Sequence, residues 1–440
     1  MRTLSAGEAP VAAPTAPLSL RAQLEAASAA LIIFIIAFLP STAKLFTGED
    51  ADNSVLGELV WSSIYLFCGI RVWAFRGRAF PLLRKCVPFL VWLVIVFAST
   101  IWSNDPFTTF KSAGELAGTV LIGTYFVVRY PLRKFLEILE SGYFAIGSLS
   151  LFLVFASPIR GKSEGPFNGI FSDKNGLGSA MALATISLVL LILQTRGRRR
   201  LYLAALLALC LILLGGSNSV TAIVTLTGVA ALALIGWMFR SRLYAALFAV
   251  ALLTIVPTIL AFGLYGLDPD RIFLMLGRSA LLSGRTDMWP GLLNAVRDQP
   301  IFGFGYNCFF RGGGPYRDYL ATFLLEYNWD PPHAHNSFLQ IALDTGLVGL
   351  SAFVVTLWFS VKRAIAFFML DRNAISLWPF AIIAYLVLGS YDETYFSVAN
   401  TMNTVLFVAA MLYPIVDRSA APKLPRRRPA LIGRTEAEFS

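Results

Sequence analysis

The chain contains two histidines, His333 and His335, both within the segment PPHAHNSFLQIALDTGLVGL. Pro331 and Pro332 end whatever precedes them, and Phe338, Leu339, Ile341, Ala342 and Leu343 then form a dense apolar run before Gly346 and Gly349. This pattern predicts a short helix at the membrane surface with His335 in its first turn, followed by a glycine turn. The partial positive charge of a helix N-terminus disfavours a protonated imidazole, and a neutral ring can serve as a general base. The same placement also suits a plain capping or interfacial residue.

Upstream, DRIFLMLGRSALLSGRTDMW spaces Arg271, Arg278 and Arg285 evenly, which would put them on one face of a helix unless Gly277 and Gly284 interrupt it. Guanidinium groups bind phosphate through paired planar hydrogen bonds, so this cluster suits a diphosphate at a lipid headgroup. Snorkelling to lipid headgroups, or pairing with Asp268, Asp270 and Asp287, is the alternative. Tyr306, Phe309, Phe310, Tyr316, Tyr319, Tyr327 and Trp329 follow, interleaved with glycines, and their faces suit sugar rings or an interfacial belt equally well. Lys174 and Asn175 in FSDKNGLG, and Asp392 and Glu393 in GSYDETYF, are polar groups at the ends of apolar runs. Ser217, Ser219 and Thr221 in GGSNSVTA mark a short turn whose hydroxyls suit helix ends.

The elements that must position these residues are membrane helices. Hydrophobic residues make up 57% of the 440 and charged residues only 14%, an exterior that water would not tolerate and a bilayer would. The expected fold is an all-α polytopic bundle of about a dozen spans. They fall near 26–41, 56–75, 87–103, 112–129, 135–156, 175–194, 201–216, 219–237, 244–264, 348–366, 375–390 and 398–416. This divides the chain into an N-terminal tail (1–24), nine spans (25–264), an outer loop with an interfacial helix (265–347), three spans (348–416) and a basic tail (417–440). Arg76, Arg78, Arg84 and Lys85, then Arg129, Arg133 and Lys134, then Arg196 and Arg198 to Arg200, then Arg240 and Arg242, fill alternate loops. The positive-inside rule makes those loops and both termini cytoplasmic, and puts the long segment from Tyr265 to Ala334 on the outer, periplasmic side.

The net charge of +10 is spread over these short clusters rather than over one face, so no nucleic-acid partner is expected. Cys68, Cys86, Cys210 and Cys308 lie in or between different spans, and no disulfide framework is expected. The first apolar run follows an Ala/Pro-rich leader and is expected to stay as an uncleaved helix. No internal repeat of the kind that builds many two-lobed transporters is visible.

Taken together, FSDKNGLG, LGRSALLSGRTDMW, IFGFGYNCFF and AHNSFLQIALDTGLVG resemble, in order, the O-antigen polymerase and ligase superfamily of bacterial surface polysaccharide assembly, especially its exopolysaccharide polymerases. The resemblance runs from about Phe171 to Leu350. It implies a metal-independent glycosyl transfer on the periplasmic side of the bacterial inner membrane, without a cofactor, from a donor saccharide carried on undecaprenyl diphosphate. It implies His335 as the base, with Arg285, and Arg278 as second choice, on the diphosphate. Lys174, Asn175, Asn336, Tyr306 and Glu393 complete the expected substrate-binding set. A chain-length regulator and a flippase of the same assembly system are the implied protein partners.

No DxD-type site and no His/Cys/carboxylate cluster with metal-ligand spacing is visible in the linear sequence. Ligases of the resembled superfamily commonly carry an arginine in the turn between two central spans, where this chain has SNSVTA with Asn218 and Val220. That departure favours a polymerase over a ligase. A flippase for the same lipid-linked sugar, with charges deep in a two-lobed bundle, and a non-catalytic assembly scaffold are the competing classes.

Overall fold

The computed structural model describes residues 20–47, 54–156, 166–239, 285–311, 314–328, 330–371 and 373–420. The expected ninth span, 244–264, together with Arg271 and Arg278, lies outside the described residues.

All regular elements among the described residues are helical. In chain order they are α1 (Leu20–Thr47), α2 (Val55–Ala74), α3 (Arg76–Leu83), α4 (Val87–Ala98), α5 (Pro106–Arg129), α6 (Leu132–Ala156), α7 (Lys174–Ile192), α8 (Arg198–Ser217) and α9 (Val220–Phe239). After these come α10 (Arg285–Asp298), α11 (Tyr316–Tyr319), α12 (Ala321–Tyr327), α13 (Ser337–Leu370), α14 (Trp378–Gly389) and α15 (Met402–Ala420). Among the described residues, six helical stretches are long and apolar enough to cross a bilayer: Val55–Ala74, Arg76–Ile101, Leu132–Ala156, Lys174–Ile192, Arg198–Ser217 and Ser337–Leu370. Shorter apolar helices at Gln23–Leu39, Val220–Gly236, Ala374–Gly389 and Met402–Val416 match further expected spans. The fold is thus the all-α polytopic bundle that hydropathy predicts.

The expected span at 112–129 is a helix, α5, but falls below that standard of apolarity. Its position explains why: Leu116, Gly118, Thr119, Val120 and every residue from Ile122 to Val128 are buried by neighbouring helices. A helix shielded by protein can carry Thr, Gly and Glu that a lipid-facing helix could not. Outer helices show the opposite pattern, with Leu59, Leu66, Ile70 and Trp73 of α2 and Leu201, Leu211 and Ile212 of α8 exposed. An apolar exterior of this extent is a bilayer surface.

The two ends of the bundle differ in chemistry. At one end Glu25 of α1 pairs with Arg129 and, at 3.4 Å, with Arg71. There too the buried Glu140 pairs with Arg199, and Arg363 donates to the Lys85 carbonyl at 2.6 Å. At the other end lie the N-termini of α5, α7, α9, α13 and α15 and a folded cap built from residues 285–311, 314–328 and 330–334.

That cap has its own apolar core. Met288, Trp289 and Leu292 of α10 pack with Phe304, Phe309, Tyr316, Leu320 and Phe323, and the cluster closes on Leu339 and Leu343 of α13. Residues 337–345 form the expected short helix ahead of the glycine turn, but it is buried: the cap roofs it, and it does not lie exposed at a surface. The expected glycine turn lies at Gly346 (φ 63°, ψ −169°), which is not helical and divides α13 into that short helix and the long helix after it.

The kink breaks the local ladder, and the segment IFGFGYN repairs it. Leu343 and Asp344 offer their carbonyls to the amides of Phe304 (2.8 Å) and Gly305 (3.0 Å), while the Leu347 amide donates to the Pro300 carbonyl (2.8 Å). The chains approach so closely that a Cβ on Gly346 would sit 2.1 Å from the Ile301 carbonyl oxygen, and one on Gly303 (φ 68°) 2.5 Å from that of Leu343. Only glycine meets both the positive φ and the contact.

Candidate functional site

The site is assembled where four segments far apart in sequence meet. Asp173 caps α7, its carboxylate accepting from the Asn175 amide (2.8 Å) and the Gly176 amide (2.9 Å). This cap fixes Asn175 in the first turn, where its side chain is held at both ends: Ser219 donates its hydroxyl to Asn175 Oδ1 (3.0 Å), and Asn175 Nδ2 donates to Glu393 Oε1 (2.9 Å). The other carboxylate oxygen, Glu393 Oε2, lies 3.2 Å from His335 Nδ1. The pair is nearly enclosed, with side chains 11% and 12% exposed. An imidazole oriented by a carboxylate, itself oriented by an amide, is the arrangement that fixes ring tautomer and direction in acid–base sites.

Local backbone explains why His335 can turn toward Glu393. Asn336 is the cap of α13, its Oδ1 accepting from the amides of Phe338 (3.0 Å) and Leu339 (3.1 Å). His335 therefore precedes the cap instead of lying in the first turn as expected, and it adopts a left-handed conformation, φ 49°. Its amide donates to His333 Nδ1 (3.2 Å), which also meets the Thr394 hydroxyl (3.2 Å), and the two imidazole rings are 4.1 Å apart.

Ser337, which the sequence did not single out, anchors the Glu393 loop. Its hydroxyl donates to Ser390 Oγ (2.8 Å) and accepts from the amides of Tyr395 (2.8 Å) and Phe396 (3.2 Å). The neighbouring Asp392 carboxylate takes the hydroxyl of Thr221. Tyr395 stacks on Tyr385, and burial pushes its phenol well above the ordinary value, so it stays neutral. The one available clue was that Ser337 directly follows the His-Asn pair.

Beside the couple opens a cavity of about 250 Å³ between α1, α6, α7 and the start of α15. Asn175, Glu393, Asn400 and Asn403 line it with polar groups, and Ile36, Ile146 and Leu183 with apolar ones. Glu393 thus faces the cavity with one flank and His335 with the other.

Of the expected site residues, the structure brings His335, Asn175 and Glu393 into contact. Lys174 is exposed at the first position of α7, at the same rim. Arg285 opens α10 in the cap, and Arg278 lies outside the described residues. Two expectations are corrected. Asn336 is 2% exposed and commits its side-chain oxygen to capping, so it positions the helix and does not present that oxygen to a ligand. Tyr306 is 2% exposed, with its hydroxyl donating to the Ser397 carbonyl (2.7 Å) and its amide to Ser99 Oγ (2.9 Å). It ties the cap to the bundle and offers no face to a sugar. Phe309 and Tyr316 are likewise core residues of the cap.

The linear sequence shows no metal-ligand spacing, yet the fold brings His333, His335 and Glu393 together with ligand atoms within 4.8 Å of one another.

Fold and site define a polytopic helical membrane protein with a buried imidazole–carboxylate couple at one rim of its bundle. Comparison with known proteins then narrows the class. Residues 203–354 match the family model described as O-antigen ligase. The chain is 24% identical over 359 residues to the exopolysaccharide production protein ExoQ of Rhizobium meliloti, covering 74% of this chain and 79% of that one. It is 26% identical over 245 residues to a provisionally named polysaccharide ligase of Rickettsia conorii, covering 53% of this chain and 56% of that one. These matches bear out the resemblance to the O-antigen ligase and polymerase superfamily, and they indicate a membrane glycosyltransferase-like enzyme of polysaccharide synthesis. The family match includes the cap and the HAHN segment but stops before Glu393 and begins after Asn175.

Proposed function

We propose that this protein joins oligosaccharide repeat units carried on undecaprenyl diphosphate into a surface polysaccharide, on the periplasmic side of the inner membrane. The observation that carries this reading is the chain of contacts from Ser219 through Asn175 and Glu393 to His335. With Nδ1–H donated to Glu393, the imidazole carries its lone pair on Nε2, and that nitrogen takes the proton of the acceptor sugar hydroxyl. The freed oxygen attacks the anomeric carbon of the donor sugar, the bond from that carbon to the phosphate oxygen breaks, and the electron pair leaves with undecaprenyl diphosphate. Glu393 faces the imidazolium so formed and stabilises it, since attraction at this range in an enclosed site is worth far more than in water.

The leaving group is already activated, so what remains is to hold it and to meet the charge growing on its phosphate. Lys174 at the rim and Arg285 at the start of α10, with Arg278 in the same segment, supply cations of the right kind. The cavity beside Glu393 combines polar and apolar walls, as a sugar on a lipid carrier requires. The basic groups at the opposite end of the bundle support a cytoplasmic assignment for that end and for both termini.

Transfer of finished polysaccharide to a lipid acceptor, the ligase reaction, is the second reading, and the description of the matching family favours it. The turn SNSVTA, without a basic residue, favours polymerisation. Surface polysaccharide from a deletion strain complemented with His335→Ala decides between them. Single repeat units on the cell are the expected outcome, polymer stranded on undecaprenyl diphosphate would indicate a ligase, and normal long chains would end the catalytic assignment of His335.

A further inference from the structure

We propose that His333, His335 and Glu393 form a binding site for a divalent transition-metal ion of the zinc class, and that its occupation switches the enzyme off by taking the nitrogen lone pair of the base. Among the described residues this is the one group of three His, Cys or carboxylate side chains whose ligand atoms converge, all within 4.8 Å of one another. Ligand atoms on one tetrahedral zinc are about 3.3 Å apart, so closure requires side-chain movements on the order of 1 Å. Such movements are within reach of rings on a short loop segment ahead of a helix cap.

The donor set has the chemistry of a labile site. Two imidazoles and a carboxylate leave a fourth position open, the ligand count of exchangeable zinc sites rather than of closed structural ones. Imidazole-rich sites select zinc and copper over magnesium and calcium, which prefer oxygen ligands. A ligand-orienting partner is also in place: Asn175 Nδ2 holds Glu393 Oε1 at 2.9 Å and leaves Oε2 toward the histidines. Partners of this kind commonly fix metal ligands. His333 has no part in the proton transfer proposed above, so the cluster gives it a role that the transfer reaction does not. The inhibition rests on His335 acting as the base; the metal binding does not.

The test uses the full chain, purified in detergent without a histidine tag and stripped with chelator. Because the chain has only two histidines, modification by diethyl pyrocarbonate read by mass spectrometry reports on this site alone. Zinc chloride is expected to protect both histidines while magnesium chloride protects neither. Isothermal titration is expected to give one zinc per chain, weakened more than about a hundredfold in His333→Ala and in Glu393→Gln. Cobalt chloride should give the visible absorption of low-coordinate Co²⁺ in the wild type only. Unprotected histidines in the zinc-treated wild type would overturn the proposal without any variant having to fold, as would unchanged zinc affinity in well-folded His333→Ala. Polymer formation is then assayed with and without zinc. Zinc binding in a protein that forms no polymer under any condition would sink the proposed transfer reaction and leave the metal site standing.

Discussion

Replacing Glu393 by Gln changes one oxygen to nitrogen and tests the couple without altering its size. Asn175 Nδ2 donates to one oxygen of Glu393, so the glutamine must keep its carbonyl oxygen there and turn its NH₂ toward His335 Nδ1, 3.2 Å away in the native protein. A donor at that position forces Nδ1 to accept and moves the ring proton to Nε2, removing the lone pair that takes the acceptor proton. General-base catalysis is worth about 10²–10⁴ in rate, which corresponds to roughly 3–5 kcal/mol of barrier. A fall of kcat within that range is expected. His335→Ala should cost as much. The double variant should be no slower than the worse single one, since the two residues act as a unit. The assay is conversion of lipid-linked repeat units to polymer by purified protein. Retention of more than half the wild-type kcat by Glu393→Gln, or losses that multiply in the double variant, would detach Glu393 from the action of His335.

Three other perturbations test the scaffold. Asn175→Asp sets a second carboxylate against Glu393, at the 2.9 Å contact the amide now makes, and should abolish activity while leaving the melting temperature within a few degrees; normal activity would detach Asn175 from the site. Gly346→Ala meets both a positive φ and the Ile301 carbonyl, and should cost about 2 kcal/mol or more, read as proteolytic release of the cap at lower temperature. Asp105 caps α5, and the bonds from the Thr108 hydroxyl and amide hold its carboxyl below the ordinary 3.8. A depressed value means that its contribution is present above the unfolded value and fades as pH falls through the folded one. Thermal stability should therefore decline below about pH 4, and Asp105→Asn should flatten that part of the curve, both read by melting in detergent.

Span positions were legible because a bilayer imposes about twenty apolar residues on each crossing, and that demand is local. The α5 helix escaped the same rule since its environment is protein, a fact set by neighbours rather than by its own residues. Asn175, Glu393 and His335 could each be named from residue type, but their contact joins positions 218 and 58 residues apart, and no periodicity encodes that. Aromatic residues of the cap were ambiguous because the side chains that would stack on a sugar also build an apolar core, and Tyr306 and Phe309 do the latter. The glycines of IFGFGYN and DTGLVG looked like ordinary turn residues. Their close approach, where an added Cβ on Gly346 or Gly303 would sit 2.1 or 2.5 Å from a carbonyl oxygen, became visible only when both backbones were in place. His333 and His335 showed no metal spacing because their third partner, Glu393, comes from the segment between α14 and α15.

In the proposed reaction His335, oriented by Glu393, removes the acceptor proton during transfer from a polyprenyl diphosphate donor. Its most direct measurement is a time course of purified protein in lipid vesicles supplied with undecaprenyl-diphosphate-linked repeat units, following both the oligosaccharide ladder and released undecaprenyl diphosphate. The wild type is predicted to lengthen chains and release one carrier per bond formed, and His335→Ala to slow both at least about a hundredfold together. A His335→Ala protein that builds the same ladder at the wild-type rate would contradict it.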